Sequence, residues 1–267
     1  MPKQPGSRYF FRSGGRADTF WEITQTGRNL AMRTGPEGGA GRITPKKLAS
    51  PEAAAAELDE LVAAKLAEGY EEHTDEAVWV TGDGKKPLRV RVPLKATDAR
   101  IFAYEHFQQQ LDLTPLVAVK KLRELDITGH KLTSLHLEEL IGCNELRELS
   151  LSSHGLRTVD LAPLAKLPKL ETLFVMHLKD PPNLAPLAAC KKLATLALIN
   201  EGYKTLDLGP LAASKSLKKL HLQQSAKLKT IDLRPLAANK SLTLITLDES
   251  ATVLGEEDVR AKITRFD

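Results

Sequence analysis

The chain has 267 residues, of which 42% are hydrophobic and 27% are charged, and its formal net charge is +4. This composition is typical of a folded globular protein, and so small a charge does not by itself indicate a nucleic-acid partner. Residues 1–7 lack the apolar segment of a secretion signal, and no run of about 18 apolar residues occurs. With only Cys143 and Cys190 as thiols, we expect a cytoplasmic protein that is neither secreted nor membrane-spanning.

Residues 8–73 predict three strands followed by a helix. The strands are expected at residues 8–12, 19–24 and 29–33, with a turn at Gly27 between the second and the third. A glycine-rich loop at residues 34–41 then leads to a further strand near Ile43.

The helix is expected to begin at the pair Ser50-Pro51, in which serine caps the helix and proline occupies its first turn. It should run through residues 53–67 and end at Gly69. The apolar side chains predicted to face the core are Leu58, Leu61, Val62 and Leu66.

Several segments of this region together resemble the WGR domain, a family that occurs in poly(ADP-ribose) polymerases and in bacterial proteins. They are Phe20-Trp21-Glu22-Ile23, the glycine-rich loop, residues 48–50, the helix and residues 65–70. The resemblance covers most of residues 7–74 and implies an α+β domain that can bind DNA. The triplet that names the family aligns with Thr34-Gly35-Pro36, so an aromatic stacking surface and an arginine contact to phosphate are both absent.

Basic residues cluster in the strand half of this domain, and acidic residues in its helix half. A solvated surface of mixed charge is the simpler interpretation, whereas a nucleic-acid-binding face or a protein-binding face is the alternative. The residues that would form a nucleic-acid-binding face are Arg8, Arg12, Arg28, Arg33, Arg42, Lys46 and Lys47.

Residues 75–115 are predicted to connect this domain to the next and to cap it. Residues 78–93 predict a hairpin with its turn at residues 82–84. Within residues 99–110, the aromatic residues Phe102, Tyr104 and Phe107 are expected to cover the open end of a repeat array.

The pattern Leu-x-x-Leu-x-Leu recurs at intervals of 23 to 25 residues through the rest of the chain, starting at Leu122, Leu146, Leu170, Leu193, Leu217 and Leu242. Each triplet predicts a strand with one buried face, followed by a second extended segment and a short helical turn that begins with proline. The repeats at residues 111–249 resemble bacterial leucine-rich repeats of the internalin type. We therefore predict two units, a WGR-like domain at residues 1–74 and an α/β solenoid at residues 116–267 with parallel strands on its concave face.

Side chains between the buried leucines should point outward on that concave face. An apolar centre between polar flanks is typical of a protein-binding surface, and residues 179–183 depart from the repeat pattern close to it. The alternative is that the apolar residues pack beneath that irregular segment. The predicted protein-binding residues are Asp126, Ser150, Phe174, Met176, Ile199, His221 and Gln223.

No other cluster predicts catalysis, a metal site or a cofactor. His130 and His154 share one position in adjacent repeats, but neither cysteine nor carboxylate completes a zinc site. The aspartates before each Pro-Leu pair are interpreted as turn residues. The sequence therefore favours a non-enzymatic adaptor with a protein partner on the concave surface, and the resemblance to bacterial families implies a bacterial protein. The alternative is a nucleic-acid-binding protein that acts through its WGR-like domain, with the repeats as a regulatory or dimerisation arm.

Overall fold

The computed structural model describes residues 7–14, 18–37, 39, 41–83, 88–103, 109–199, 203–223 and 227–266. An antiparallel sheet with one helix forms the N-terminal part, with strand order β4-β3-β2-β1-β5. The predicted strands and helix are present, and β5 is an addition that the sequence did not predict. The elements are β1 (Ser7–Arg12), β2 (Thr19–Thr26), β3 (Asn29–Pro36), β4 (Arg42–Lys47), α1 (Pro51–Ala67) and β5 (Glu71–His73).

Helix α1 packs on one face of this sheet. The side chain of Ser50 caps the helix by accepting a hydrogen bond from the Ala53 backbone N–H. Phe10, Trp21, Ile23 and Leu30 of the sheet form a core with Ala54, Leu58 and Val62 of α1. Leu61 is partly buried, but Leu66 is 48% exposed, so the prediction that Leu66 faces the core is wrong. It lies in the last turn, beyond the part of α1 that the sheet covers.

The expected glycine-rich loop begins later than predicted, because β3 continues to Pro36 and pairs Phe20 of β2 with Gly35. A Cβ atom on Gly35 would lie 2.9 Å from the Cα atom of Gly41. This close approach gives a structural reason for the one residue of the family triplet that remains in the chain.

A small three-stranded sheet in the order β7-β6-β9 precedes the repeats. The predicted hairpin is present as β6 and β7, although most of its turn lies outside the described residues. Residue Phe102 ends β8 and is 41% exposed, whereas Tyr104 and Phe107 lie outside the described residues, so the aromatic cover of the open end stays a prediction. The strands are β6 (Ala77–Gly82), β7 (Arg89–Pro93), β8 (Asp98–Phe102) and β9 (Leu111–Asp112).

The second and third residues of every leucine triplet lie in a strand of one parallel sheet, which β8 and β18 extend at its two ends, whereas the first leucine lies just before its strand. The register is regular: Leu125, Leu149, Leu173, Leu196, Leu220 and Ile245 lie opposite one another in successive strands. The strands are β10 (Glu124–Thr128), β11 (Glu148–Ser152), β12 (Thr172–Met176), β13 (Thr195–Ile199), β14 (Lys219–Gln223), β16 (Leu244–Asp248) and β18 (Lys262–Phe266).

Short 3-10 helices lie across the leucine core from these strands. All but one contain the proline that the sequence placed in the first turn, where an absent N–H costs nothing. In the described residues they span Thr114–Ala118, Leu137–Leu140, Ala162–Lys166, Ala185–Ala189, Gly209–Ala213 and Arg234–Ala238.

Among the described repeats, the predicted second extended segment is hydrogen-bonded as a strand only at the two ends of the array. At the N-terminal end β9 pairs with β6. Near the C-terminus β15 (Thr230–Asp232) pairs with β17 (Thr252–Leu254). In the repeat that departs from the pattern, residues 179–183 form an irregular connection, and the 3-10 helix at Ala185–Ala189 follows as usual.

Candidate macromolecule-binding surfaces

The outward side of the parallel sheet carries the residues predicted to bind protein. Because alternate residues of a strand face opposite sides, the residues between the buried leucines form straight columns across the sheet. One column runs Asp126, Ser150, Phe174, Ala197 and His221. A second column runs Thr128, Ser152, Met176, Ile199 and Gln223.

Three apolar side chains of these columns line a groove with a cavity volume of about 400 Å³. Phe174, Met176 and Ile199 are partly exposed in it. Residues 179–183 do not line this groove, so the structure does not support the alternative in which the apolar residues pack beneath that segment.

Asp126 and Ser150 line the same groove, whereas His221 and Gln223 lie on β14 outside it. The His221 Nδ1 atom lies 2.7 Å from the Thr246 Oγ1 atom. Burial, together with the charge of Lys219, lowers the pKa of His221. Ala197 is 1% exposed, because the larger Phe174 and His221 flank it in the column.

A third column adds carboxylates that the sequence analysis did not include. Asp98, Glu124 and Glu148 lie opposite one another on β8, β10 and β11 and line the groove. Burial, followed by the neighbouring charges of Glu124 and Asp126, raises the pKa of Glu148. The two glutamates were accessible to the sequence analysis, because each lies two residues before a predicted site residue. The place of Asp98 depends on β8 joining the sheet, which no leucine triplet indicates.

Three histidine rings stack where β10, β11 and β12 end. The rings of His130 and His154 lie 5.2 Å apart, and those of His154 and His177 lie 4.4 Å apart. His177 adopts a left-handed backbone conformation, with φ of 61°. Across the described part of the chain, no group of three or more His, Cys, Asp or Glu residues is arranged to hold a metal ion.

The aspartates before the Pro-Leu pairs act in turns, as interpreted from the sequence. The carboxylates of Asp112, Asp160, Asp207 and Asp232 each accept a hydrogen bond from the backbone N–H two residues later, over 2.8 to 3.1 Å. Cys143 and Cys190 are buried free thiols.

Most basic residues predicted to form a nucleic-acid-binding face are engaged within the WGR-like domain. The Arg8 guanidinium donates two hydrogen bonds of 2.7 Å to the Glu72 carboxylate. The Arg12 guanidinium stacks on the Tyr70 ring at 4.9 Å. The Lys46 Nζ atom lies 2.6 Å from the Glu57 Oε1 atom, so these three side chains are held by other groups of the domain.

Arg33 lies on the sheet face opposite to α1, inside a buried charge centre. Its guanidinium forms an ion pair with the carboxylate of Glu22, whose side chain is 7% exposed. The same carboxylate accepts a hydrogen bond of 2.9 Å from Arg89 Nη1 of β7 and one of 2.8 Å from Ser7 Oγ. Burial opposes the charged form of Glu22, but Arg33 and Arg89 outweigh it and lower its pKa.

Aromatic stacking adds to this contact between the sheet and the β6-β7 hairpin. The Arg89 guanidinium lies 3.7 Å from the centre of the Trp79 ring, and this ring meets Tyr9 at 5.5 Å. The sequence analysis missed Glu22, Trp79 and Arg89 as a group, because no motif joins residues so far apart in the chain.

Arg28, Arg42 and Lys47 remain exposed, and none of them forms an ion pair with another described residue. Arg42 lies opposite Thr34 and Lys47 opposite Asn29. Because Thr34 faces α1 and Asn29 faces the other side, Arg42 and Lys47 project from different faces of the sheet. The structure therefore does not bring the seven predicted basic residues together on one surface.

Residues 9–77 match the WGR domain family model. No curated protein matches the chain significantly. Solved structures similar to it include the following three. The leucine-rich-repeat domain of the type III effector XopL is 23% identical, with a TM-score of 0.46, covering 56% of this chain and 55% of that one. An internalin from Listeria monocytogenes is 16% identical, with a TM-score of 0.35, covering 66% and 69%. A Bacteroides fragilis protein is 15% identical, with a TM-score of 0.32, covering 97% and 95%.

None of the described helices has the length and apolar composition needed to cross a membrane. The family match agrees with the segments at Phe20–Ile23 and α1, and the parallel sheet with its buried leucine columns is the repeat architecture that the 23- to 25-residue period predicts. The chain thus consists of a WGR domain followed by a leucine-rich-repeat solenoid.

Proposed function

We propose that this protein is a non-enzymatic adaptor that holds a protein partner in the groove on the parallel sheet. The observation that carries the proposal is the clustering of Phe174, Met176 and Ile199, partly exposed, on a surface otherwise lined by polar residues. Protein interfaces concentrate their binding energy in such aromatic and aliphatic anchors, surrounded by a polar rim. Leucine-rich-repeat folds are commonly protein-interaction scaffolds, in agreement with this proposal.

The charge of the groove favours a partner segment that is both basic and apolar. Asp98, Glu124, Asp126 and Glu148 line one side of the groove, and Arg100 is the only basic residue among its lining residues. A cationic side chain beside Glu148 would stabilise its charged form, which burial and the neighbouring carboxylates now disfavour. We therefore expect a partner with Lys or Arg next to one large apolar side chain.

A matched pair of substitutions tests the proposal on the full-length protein. The variant Phe174→Glu should reduce the amount of captured partner at least tenfold, because anchor residues contribute about 2 kcal/mol or more to binding. Leu254→Glu changes an equally apolar side chain, 41% exposed, outside the groove, and should leave capture unchanged. Capture is measured by affinity purification from cells that express the protein, followed by quantitative mass spectrometry.

Thermal unfolding of both variants serves as the folding control, and it should stay close to that of the unmodified protein. If Phe174→Glu unfolds normally and captures the same proteins in the same amounts, the groove is not the binding site. Under the proposed domain division, with residues 1–74, 75–115 and 116–267 as units, the whole groove lies outside the WGR domain, because its β8 rim belongs to residues 75–115 and the rest to the solenoid.

A further inference from the structure

Among the described residues, the largest group of basic side chains outside ion pairs lies on the solenoid and not on the WGR domain. In each repeat, the two residues before the first leucine and the one after it lie where the strand begins. These positions form one continuous row, because the residue after each leucine accepts backbone hydrogen bonds from the next repeat, as Arg123 does from Arg147 and Glu148. Of the eighteen positions in the six repeats, ten are Lys or Arg and two are Glu. The row alone therefore carries +8, whereas the whole chain carries +4.

The two acidic residues of this row neutralise only its middle. Glu145 pairs with Lys169, and Glu171 pairs with Arg147. In the last three repeats, the charged residues of the row are all lysines. These lysines are exposed, and none of them forms an ion pair with another described residue. We call this part of the row the basic edge; its residues are Lys191, Lys192, Lys215, Lys218 and Lys240.

A groove accompanies the basic edge between the two 3-10 helices of the last repeats. Its cavity volume is about 590 Å³, its walls are mostly alanine and serine, and Lys215 and Lys240 stand beside it. The groove therefore adds room beside the positive charge.

We propose that the basic edge binds the phosphate backbone of a nucleic acid. A row of exposed lysines is suited to phosphate contacts, which need charge but no base recognition. An acidic protein partner is disfavoured, because the cores of protein interfaces are rich in aromatic residues and depleted in lysine. The large apolar side chains exposed in the described structure are Ile43, Leu66, Phe102, Ile141, Leu254 and Phe266, and none of them belongs to the basic edge.

The dimensions agree with this ligand. Adjacent parallel strands lie about 4.8 Å apart, so the basic edge, which covers three adjacent repeats, extends over about 10 Å. One strand of a duplex places a phosphate about every 3.4 Å along the helix axis, so the basic edge spans about three phosphates. Lys121 and Arg123 supply further positive charge at the far end of the row.

The experiment is a fluorescence-anisotropy titration of the full-length protein with a labelled duplex of about 20 base pairs, between about 50 and 200 mM salt. The unmodified protein should bind with micromolar or tighter affinity at the lowest salt. The variant Lys192→Glu/Lys215→Glu/Lys240→Glu should bind at least tenfold more weakly. The slope of log affinity against log salt should fall by about 2.7, because each lost phosphate contact lowers it by about 0.9.

Two control variants carry the same change of charge elsewhere. Lys179→Glu/Lys204→Glu/Lys229→Glu alters exposed lysines on the opposite side of the repeats, where the strands end. Arg28→Glu/Arg42→Glu/Lys47→Glu alters the unpaired basic residues of the WGR domain. Both controls should bind within about twofold of the unmodified protein, well inside the loss expected from the edge.

Three results would each overturn the proposal. They are an absence of binding by the unmodified protein at the lowest salt, an equal loss in the edge variant and either control, and equal affinity for polyglutamate of matched charge. Unfolding curves of all variants should coincide, since the substituted side chains are exposed. The proposal is independent of the protein-binding groove, and Phe174→Glu should leave the titration unchanged.

Discussion

The buried charge centre between the WGR domain and the β6-β7 hairpin provides a sharp test of how the two are joined. In Glu22→Gln, the carboxylate that faces Arg33 and Arg89 becomes neutral while both guanidinium groups stay in place. The Arg33 and Glu22 side chains are only 12% and 7% exposed, so the arginine charge cannot be fully solvated. Removing one partner of a buried ion pair typically costs about 3–5 kcal/mol, and we expect a loss of this size in the free energy of unfolding.

Urea denaturation followed by tryptophan fluorescence measures this loss directly. The two tryptophans of the chain are Trp21, on the strand of Glu22, and Trp79, which stacks on Arg89. Glu72→Gln is the matched control, because it removes a carboxylate from the more exposed ion pair with Arg8, and it should cost about 1 kcal/mol or less. The double variant Glu22→Gln/Arg33→Met should recover part of the loss. If Glu22→Gln lowers the free energy of unfolding no more than Glu72→Gln does, the buried ion pairs do not hold the WGR domain and the β6-β7 hairpin together.

The pH dependence of the same measurement has a defined sign. The folded-state pKa of Glu22 is lowered, so its ionised form stabilises the fold above its unfolded pKa of about 4.3. This contribution is lost as the pH falls through the folded pKa. The difference in stability between the unmodified protein and Glu22→Gln should therefore be largest near neutral pH and shrink in acid.

Two further predictions concern the solenoid core. Leu196 is 0% exposed in the middle of the parallel sheet, so Leu196→Ala should lower the free energy of unfolding by about 2–5 kcal/mol. Urea unfolding followed by circular dichroism measures this change, and a loss below about 1 kcal/mol would contradict tight packing around Leu196. Burial raises the pKa of both Cys143 and Cys190 to about 11, whereas thiols of the unfolded chain have a pKa near 8.5. Because the thiolate is the reactive form, iodoacetamide at pH 8 should modify the folded protein at least about 100-fold more slowly than the urea-unfolded chain. Equal rates would show that the thiols are accessible.

The repeat architecture could be predicted from the sequence because the residues that determine the structure of each repeat lie close together in the chain. The alternation within a triplet such as Leu146, Leu149 and Leu151 sets which strand face is buried, and the constant spacing sets the register between strands. The position of Phe174 beside Met176 and Ile199 followed from the same alternation within strands and the same spacing between repeats. The segments around Phe20 and the Ser50-Pro51 helix start likewise indicated the WGR domain, which the family match supports.

The distribution of charge, by contrast, was decided by the tertiary structure. Arg8 meets Glu72, and Glu22 meets Arg89, across 64 and 67 residues of chain. No local pattern encodes such pairs, so a cluster of arginines in the sequence did not reveal that Arg8 and Arg33 are neutralised by distant carboxylates. For the same reason the acidic wall of the groove includes Asp98, which enters the sheet through β8 without a leucine triplet. Hydrophobic periodicity is a property of neighbouring residues, whereas the net charge of a surface depends on which distant segments the fold brings together.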